Sequence, residues 1–280
     1  MTTTNPVTLN ENDLELLAAM EIVSESEETA APEEDLTTAL AEANGAPAAL
    51  EAQAGEIVTY EDLDELIDAT LPFMDMLAAI PETRVASVMA GVTAGFAERA
   101  RFEAEANPNN SNIQKTLTKL QKGHLTPGVM RASIIAGAGE NYMNVSEVGG
   151  KRRNVYALDK MRDILYGAVV GHMKNAINIA CLSSLVRLMD VQIQFTGAVA
   201  KACASDKVAI DTHIKPYLSR HTVAESTAST QASSTMTALE DLGVVKNSGT
   251  RQHPVWAMTD TPLSKRLVEI VRAKHLPVAA

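Results

Sequence analysis

The sequence predicts a mainly α-helical protein, with an acidic N-terminal arm and a short β-hairpin near its end, and three observations carry that reading. Apolar residues recur at helical spacing from Thr59 to about residue 240. Strand-like runs come only afterwards, as Val244-Val245 and Val255-Trp256-Ala257-Met258 on either side of the turn-rich stretch Lys246–Pro254. The charge is segregated as well: Met1–Thr83 holds 20 Asp and Glu and no Lys or Arg, so a chain of net charge −11 carries +9 on the remainder. Three segments follow: an arm over 1–57, a helical domain over 58–205 that carries the basic surface and self-associates, and a C-terminal domain over 206–280.

The arm is rich in Ala, Glu, Thr and Pro, and its run Ser24–Asp35 has almost no large apolar side chain. Such a stretch buries too little surface to offset its ordering entropy, so disorder is expected. The cluster Leu9, Leu14, Leu16, Leu17, Met20, Ile22 and Val23 leaves two readings open, a fraying helix or a segment that folds on a protein partner. Thr59 with Asp62 caps a helix that ends at Pro72, and a second helix starts near Pro81 and runs through Val85, Val88, Val92 and Phe96 to Ala106, stopped by Asn107-Pro108. Ser111 caps a short basic helix with Lys115, Lys119 and Lys122; Thr126-Pro127 opens another, closed at Gly137-Ala138-Gly139. Val155 to about Ala204 reads as one or two strongly apolar helices, broken near Gly167, Gly171 or Ser183-Ser184, which other helices or a second copy of the chain must cover. Strands are not expected before residue 240.

In the last third, Asp211–His221 and Thr222–Ala228 suit short helices, and Ser229 caps a third over Thr230–Leu242 with Ala232, Met236, Leu239 and Leu242 inward. Gly243 stands where a helix C-terminal cap is wanted, the hairpin follows, and Pro262–Lys274 closes the unit.

The stretch TVAESTASTQASSTMTALEDLGVV (Thr222–Val245), followed by KNSGTRQHPVWAMTD (Lys246–Asp260), resembles winged helix-turn-helix DNA-binding domains. The resemblance implies a third helix that enters the major groove and a hairpin wing on the backbone or minor groove. By position it implies DNA contacts from Thr230, Gln231, Ser233, Ser234 and Thr237 on the helix and from Lys246, Asn247, Arg251, Gln252 and His253 on the wing. The helix departs from the pattern in having no Arg or Lys and in ending in Glu240-Asp241. The acidic arm, basic body and C-terminal unit together resemble phage-encoded transcription and replication cofactors, some of which prefer single-stranded DNA.

Independently of any family, Lys151, Arg152 and Arg153 lie in a Gly-rich loop with Lys160 and Arg162 close behind, which suits a phosphate-binding stripe or a solvated loop. Tyr142, Tyr156 and Trp256 lie among these cations, as stacking on unpaired bases requires, although core packing suits each ring too. Cys181 and Cys203 lack a Cys-x-x-Cys or a His at ligand spacing and read as buried free thiols in a reducing compartment. The six His residues make no metal pattern, no P-loop or nucleophile elbow occurs, and neither metal nor cofactor is expected. The N-terminus has no secretory signal and Ile164–Met189 is too polar for a membrane span, so the expected site of action is the cytoplasm, the host's if the chain is phage-encoded. The expectation is a non-enzymatic protein that binds DNA or RNA and self-associates, its arm competing for the basic surface or engaging a protein. The alternative is an assembly protein with the C-terminal unit as a packing module.

Overall fold

The computed structural model describes residues 71–121, 126–143 and 153–274, which belong to one compact unit. The arm over 1–57, the helix expected from Thr59, Lys122, and the loop cations Lys151 and Arg152 lie outside the described residues. In chain order the elements are α1 (Phe73–Ala79), α2 (Glu82–Ala106), α3 (Ser111–Gln121), α4 (Pro127–Ile135), a 3-10 turn (Gly139–Met143), α5 (Val155–Val170), α6 (Ala176–Asp190), β1 (Phe195–Thr196), α7 (Gly197–Ala204), a 3-10 turn (Lys215–Tyr217), α8 (Glu225–Asp241), β2 (Val245–Asn247), β3 (Val255–Met258) and α9 (Pro262–Lys274). The fold is mainly helical with one small antiparallel sheet.

Local chemistry accounts for most helix boundaries. Along α2, Val85, Val88, Val92, Phe96, Arg99 and Glu103 fall on one buried stripe, and the helix ends at Asn107 before Pro108. Thr126 caps α4, its Oγ1 accepting from the Val129 N–H at 3.3 Å with Pro127 in the first turn. The cap of α3 is Asn110 rather than Ser111, because the Asn110 Oδ1 is the atom that accepts from the Ile113 N–H, at 3.2 Å. Asn154 caps α5 and Asn175 caps α6, the latter accepting from the N–H groups of Ile177 and Asn178.

The apolar stretch 155–204 forms three helices, not one or two. The first break comes at Gly171, whose φ of +82° is the left-handed conformation that ends α5. Ser183-Ser184 makes no break: the Ser184 hydroxyl accepts from the Ser219 N–H at 2.8 Å, a tertiary use invisible in the local pattern. The second break holds β1, an unanticipated strand that exists through its pairing with β3, Phe195 opposite Trp256 and Thr196 opposite Val255. No second copy is needed to cover these helices, since α3, α4, α8 and α9 pack on α5 and α7, α8 and α9 pack on α6. Leu158, Met161, Ile164, Leu165, Cys181, Leu182 and Val186 are fully enclosed.

The helix expected over Asp211–His221 is absent, and of the short one expected over Thr222–Ala228 only 225–228 is helical, as the first turn of α8; residues 206–224 hold one 3-10 turn. Their backbone groups are used over longer range. The Arg220 guanidinium donates to the carbonyls of Ala202 (3.0 Å), Ser205 (2.9 Å) and Val208, the Asp206 N–H donates to the His221 carbonyl at 2.7 Å, and the His221 N–H donates to that of Cys203 at 2.8 Å. An arginine on the last carbonyls of α7 serves as its C-terminal cap. Ser229 is no cap either, because α8 runs unbroken from Glu225 to Asp241. Gly243 does end that helix, at φ +63°, with the Val244 N–H reaching back to the Leu239 carbonyl at 2.8 Å. The sheet order is β1-β3-β2, with Val245 opposite Met258, Lys246 opposite Ala257 and Asn247 opposite Trp256. The elements run helix (α6), strand, helix (α7), helix (α8) and hairpin, so the helices that accompany the hairpin come from 176–204 as well as from α8.

Candidate nucleic-acid interface

Helix α8 has two chemically distinct sides. Thr227, Ala228, Ala232, Ser234, Thr235, Met236, Ala238 and Leu239 are buried. Ser226, Ser229 and Ser233 are exposed and Thr230 and Thr237 half-buried, a stripe of hydroxyls at helical spacing that begins after Glu225 and ends at Glu240. Among the residues expected to contact DNA, Ser233 is on this stripe with Thr230 and Thr237. Gln231 is half-buried, and Ser234 is turned inward at 5% exposure.

The hairpin follows α8 after a three-residue turn. Lys246, Arg251, Gln252 and His253 are exposed, and none of them forms an ion pair among the described residues. Asn247 shapes the loop: its Oδ1 accepts from the N–H groups of Gly249 (2.9 Å) and Val255 (3.2 Å). Gly249 is required by space, since a Cβ there would lie 2.2 Å from the His253 carbonyl oxygen and 2.8 Å from the Val255 nitrogen, both backbone atoms. Gly249→Ala is therefore expected to displace the loop tip at a local cost of about 1–3 kcal/mol, read as faster amide exchange over 248–254 with α8 unchanged. Unchanged exchange in that loop would refute the close packing.

Trp256 faces the inner side of the sheet. Its ring meets Phe195 edge-on at 6.4 Å, and its Nε1 lies 3.5 Å from Glu240 Oε2. The ring is half-buried, packed on one side against the core. Tyr142 is fully buried and donates to the Leu158 carbonyl at 3.1 Å, so it too is a core residue.

Arg153, at the end of the basic loop, and Lys160, on the following helix, have structural partners. Arg153 donates to Asp241 at 2.7 Å and to the Asn141 carbonyl at 2.7 Å, which fastens the start of α5 to the end of α8. Burial pushes the Asp241 carboxyl above its ordinary range, with Arg153 opposing the shift. Lys160, expected on the surface, is withdrawn from it at 6% exposure, and its ammonium donates to Asn175 Oδ1 at 2.9 Å. Next to it lies a polar network that residue patterns did not assign to any role. Asp163 accepts from the N–H groups of Lys174 (3.0 Å) and Asn175 and from the Asn178 amide (3.0 Å), while Asn178 Oδ1 accepts from the Thr235 hydroxyl at 3.0 Å. The detectable signal was polar side chains at core spacing inside strongly apolar helices, since such groups persist only when hydrogen-bonded.

No family model, curated protein or solved structure matches the chain. The geometry alone therefore supports a function.

Cys181 and Cys203 are buried free thiols. The hydrogen bond between them, with burial, pushes the Cys181 thiol up. No group of three His, Cys, Asp or Glu among the described residues is placed to hold a metal ion, and no described helix is long and apolar enough to cross a membrane.

Proposed function

We propose that the chain is a non-enzymatic nucleic-acid-binding protein, acting in transcription or replication, whose α6–β1–α7–α8–β2–β3 unit is a winged helix. One observation carries this reading: α8 exposes an uncharged hydroxyl stripe and is followed directly by a hairpin whose exposed side chains include Lys246, Arg251 and His253. Hydroxyls donate to phosphate oxygens and base edges without a charge of their own, and the hairpin cations supply phosphate neutralisation. DNA is the partner, and single-stranded DNA suits a helix that has no Arg or Lys for bidentate reading of guanine. The acidic arm opposes this surface electrostatically and reduces non-specific binding. Arg153, Lys160 and Trp256 are then framework residues, while Lys246, Arg251, Ser233 and Thr237 make the contacts.

Fluorescence anisotropy of labelled single-stranded DNA, duplex DNA and RNA at two salt concentrations tests the reading. Binding is expected to weaken with salt, with a log–log slope of about −0.7 to −0.9 per neutralised phosphate, and Lys246→Ala with Arg251→Ala should flatten it by up to about two units. Absence of binding to all three probes would overturn the reading. The assembly reading would then take its place; among the described residues the exposed large apolar side chains Leu71, Met74, Val170, Met189 and Val191 favour it, and its readout is a mass above that of one chain in solution.

A further inference from the structure

Helices α6 and α7 pack on each other, and each carries one of the two cysteines: Cys181 in the middle of α6 and Cys203 near the end of α7, 22 residues apart in sequence and both fully enclosed. The segment 206–221 leaves the end of α7 and returns to it, closed by the antiparallel bridge between Ser205 and Thr222, and its 3-10 turn packs on α6. Its last residues tie the two helices together beside the cysteines. The Ser219 N–H donates at 2.8 Å to the hydroxyl of Ser184, one helical turn from Cys181, and the His221 N–H donates to the Cys203 carbonyl at 2.8 Å. The two thiols hydrogen-bond each other. What holds the segment is a set of single hydrogen bonds, from Arg220 to the carbonyls of Ala202, Ser205 and Val208 and from the Ser205 hydroxyl to the Val223 carbonyl at 2.7 Å, rather than a helix or a sheet of its own.

We propose that Cys181 and Cys203 are an oxidation site, a dithiol that a small peroxide closes to an intrachain disulfide when the segment 206–221 opens. The inference stands apart from the nucleic-acid reading of α8. A segment held by few bonds opens locally while the helices beside it stay folded, and this one lies against Cys203. The two sulfurs are not equivalent. The hydrogen bond from Cys181 holds the Cys203 thiol below its usual range, Ser184 and Arg220 act in the same sense, and burial opposes them, so Cys203 is the nucleophile. Its thiolate attacks one oxygen of hydrogen peroxide, the O–O bond breaks, and the departing hydroxide takes up the proton that Cys203 gave up and leaves as water. Cys203 is then a sulfenic acid. The Cys181 sulfur attacks the Cys203 sulfur, the S–O bond breaks, and the oxygen leaves as water with the Cys181 proton. Two thiols and one peroxide thus give one disulfide and two waters, and the new bond fastens α6 to α7.

The test uses the full chain, folded, with hydrogen peroxide as oxidant and intact mass as readout. The parent is expected to lose two hydrogens, with the peptides that hold Cys181 and Cys203 joined in a non-reducing digest and released by dithiothreitol. Cys181→Ser is expected to stop at a sulfenic acid on Cys203, captured by dimedone, and Cys203→Ser to react about 10-fold more slowly or less. Ser205→Ala removes the bond to the Val223 carbonyl and is expected to speed closure about 3- to 10-fold. Arg99→Leu, which weakens the fold at α2, is expected to leave the rate within about 2-fold; an acceleration of about 100-fold would place the reaction in the unfolded chain and overturn the role given to the segment. Two thiols that are still alkylated when the peroxide-treated parent is unfolded, or added oxygen without a cross-link, would overturn the inference.

Discussion

Replacing Asp163 by Ala is expected to lower the unfolding free energy by about 3–4 kcal/mol, a large share of the stability of an ordinary domain. Asp163 is 5% exposed and holds three donors: the N–H groups of Lys174 and Asn175, which make the turn from α5 into α6, and the amide of Asn178. Without the carboxylate those donors stay buried with no acceptor, and water has little access to them. The cost of an orphaned buried donor exceeds the net gain from a satisfied one, which is why the loss is larger than the sum of ordinary hydrogen bonds would suggest. Thr235→Val should cost less, about 1–2 kcal/mol, because it removes one donor from Asn178 Oδ1 and fills the same volume. Urea unfolding of the single variants and of the combination Asn178→Ala with Thr235→Val reads the coupling directly. A combination that costs less than the sum of its parts by about 1 kcal/mol is expected for residues in one network; strict additivity would show that Asn178 and Thr235 do not act together. The network also bears on function. Thr235 lies on the buried side of α8 and the hydroxyl stripe on the other, so a bond that sets the rotation of α8 about its axis sets which hydroxyls face outward.

How much of this was legible in the sequence divides along a physical line. Features set by a few adjacent residues were readable: the Thr126-Pro127 start of α4, the Asn107-Pro108 end of α2, the Gly243 cap, the hairpin around Lys246–Pro254 and the closing helix over Pro262–Lys274. Each rests on a bond or a backbone angle within one turn of chain. Features set by partners far along the chain were misread. Residues 211–221 have acceptable helical spacing, yet Arg220 draws the backbone to carbonyls 12 to 18 residues away, and tertiary bonds outweigh a weak local preference. The strand Phe195–Thr196 has two residues and no pattern of its own; β3 defines it. The candidate site shows the same division. The exposed cations of the hairpin followed from composition, because turn residues are solvated. Lys160 and Arg153 were counted as phosphate ligands because a sequence displays charge and hides partners, and their partners Asn175 and Asp241 lie 15 and 88 residues away.

Arg99→Leu is expected to cost about 3–5 kcal/mol, and restoring part of that loss by a second substitution makes the prediction specific. Arg99 is 2% exposed; its Nε meets Glu103 Oε1 at 2.7 Å, and its other nitrogens donate to the carbonyls of Met143 (3.2 Å) and Arg153. Glu103, itself 5% exposed, accepts in addition from the Asn107 amide at 2.8 Å. Removing the guanidinium leaves a carboxylate in the core with a neutral amide as its remaining named partner, and an uncompensated buried charge is the costly outcome. Glu103→Leu should cost less, because Arg99 keeps two carbonyls. The double variant should be more stable than Arg99→Leu alone, since leucine in both places removes two charges that would otherwise stay desolvated. Its remaining deficit measures the two carbonyls left without a donor, about 1–3 kcal/mol for each that water cannot reach. Thermal or urea unfolding of the three variants decides the matter: a double variant less stable than Arg99→Leu would mean that Glu103 does not depend on Arg99 for its charge. The Arg153 carbonyl bound by Arg99 belongs to the residue whose side chain holds Asp241 at the end of α8. Arg99→Leu should therefore speed amide exchange at the C-terminal turn of α8 more than at its N-terminal turn, where Ser226 and Ser229 lie beyond the reach of that chain of contacts.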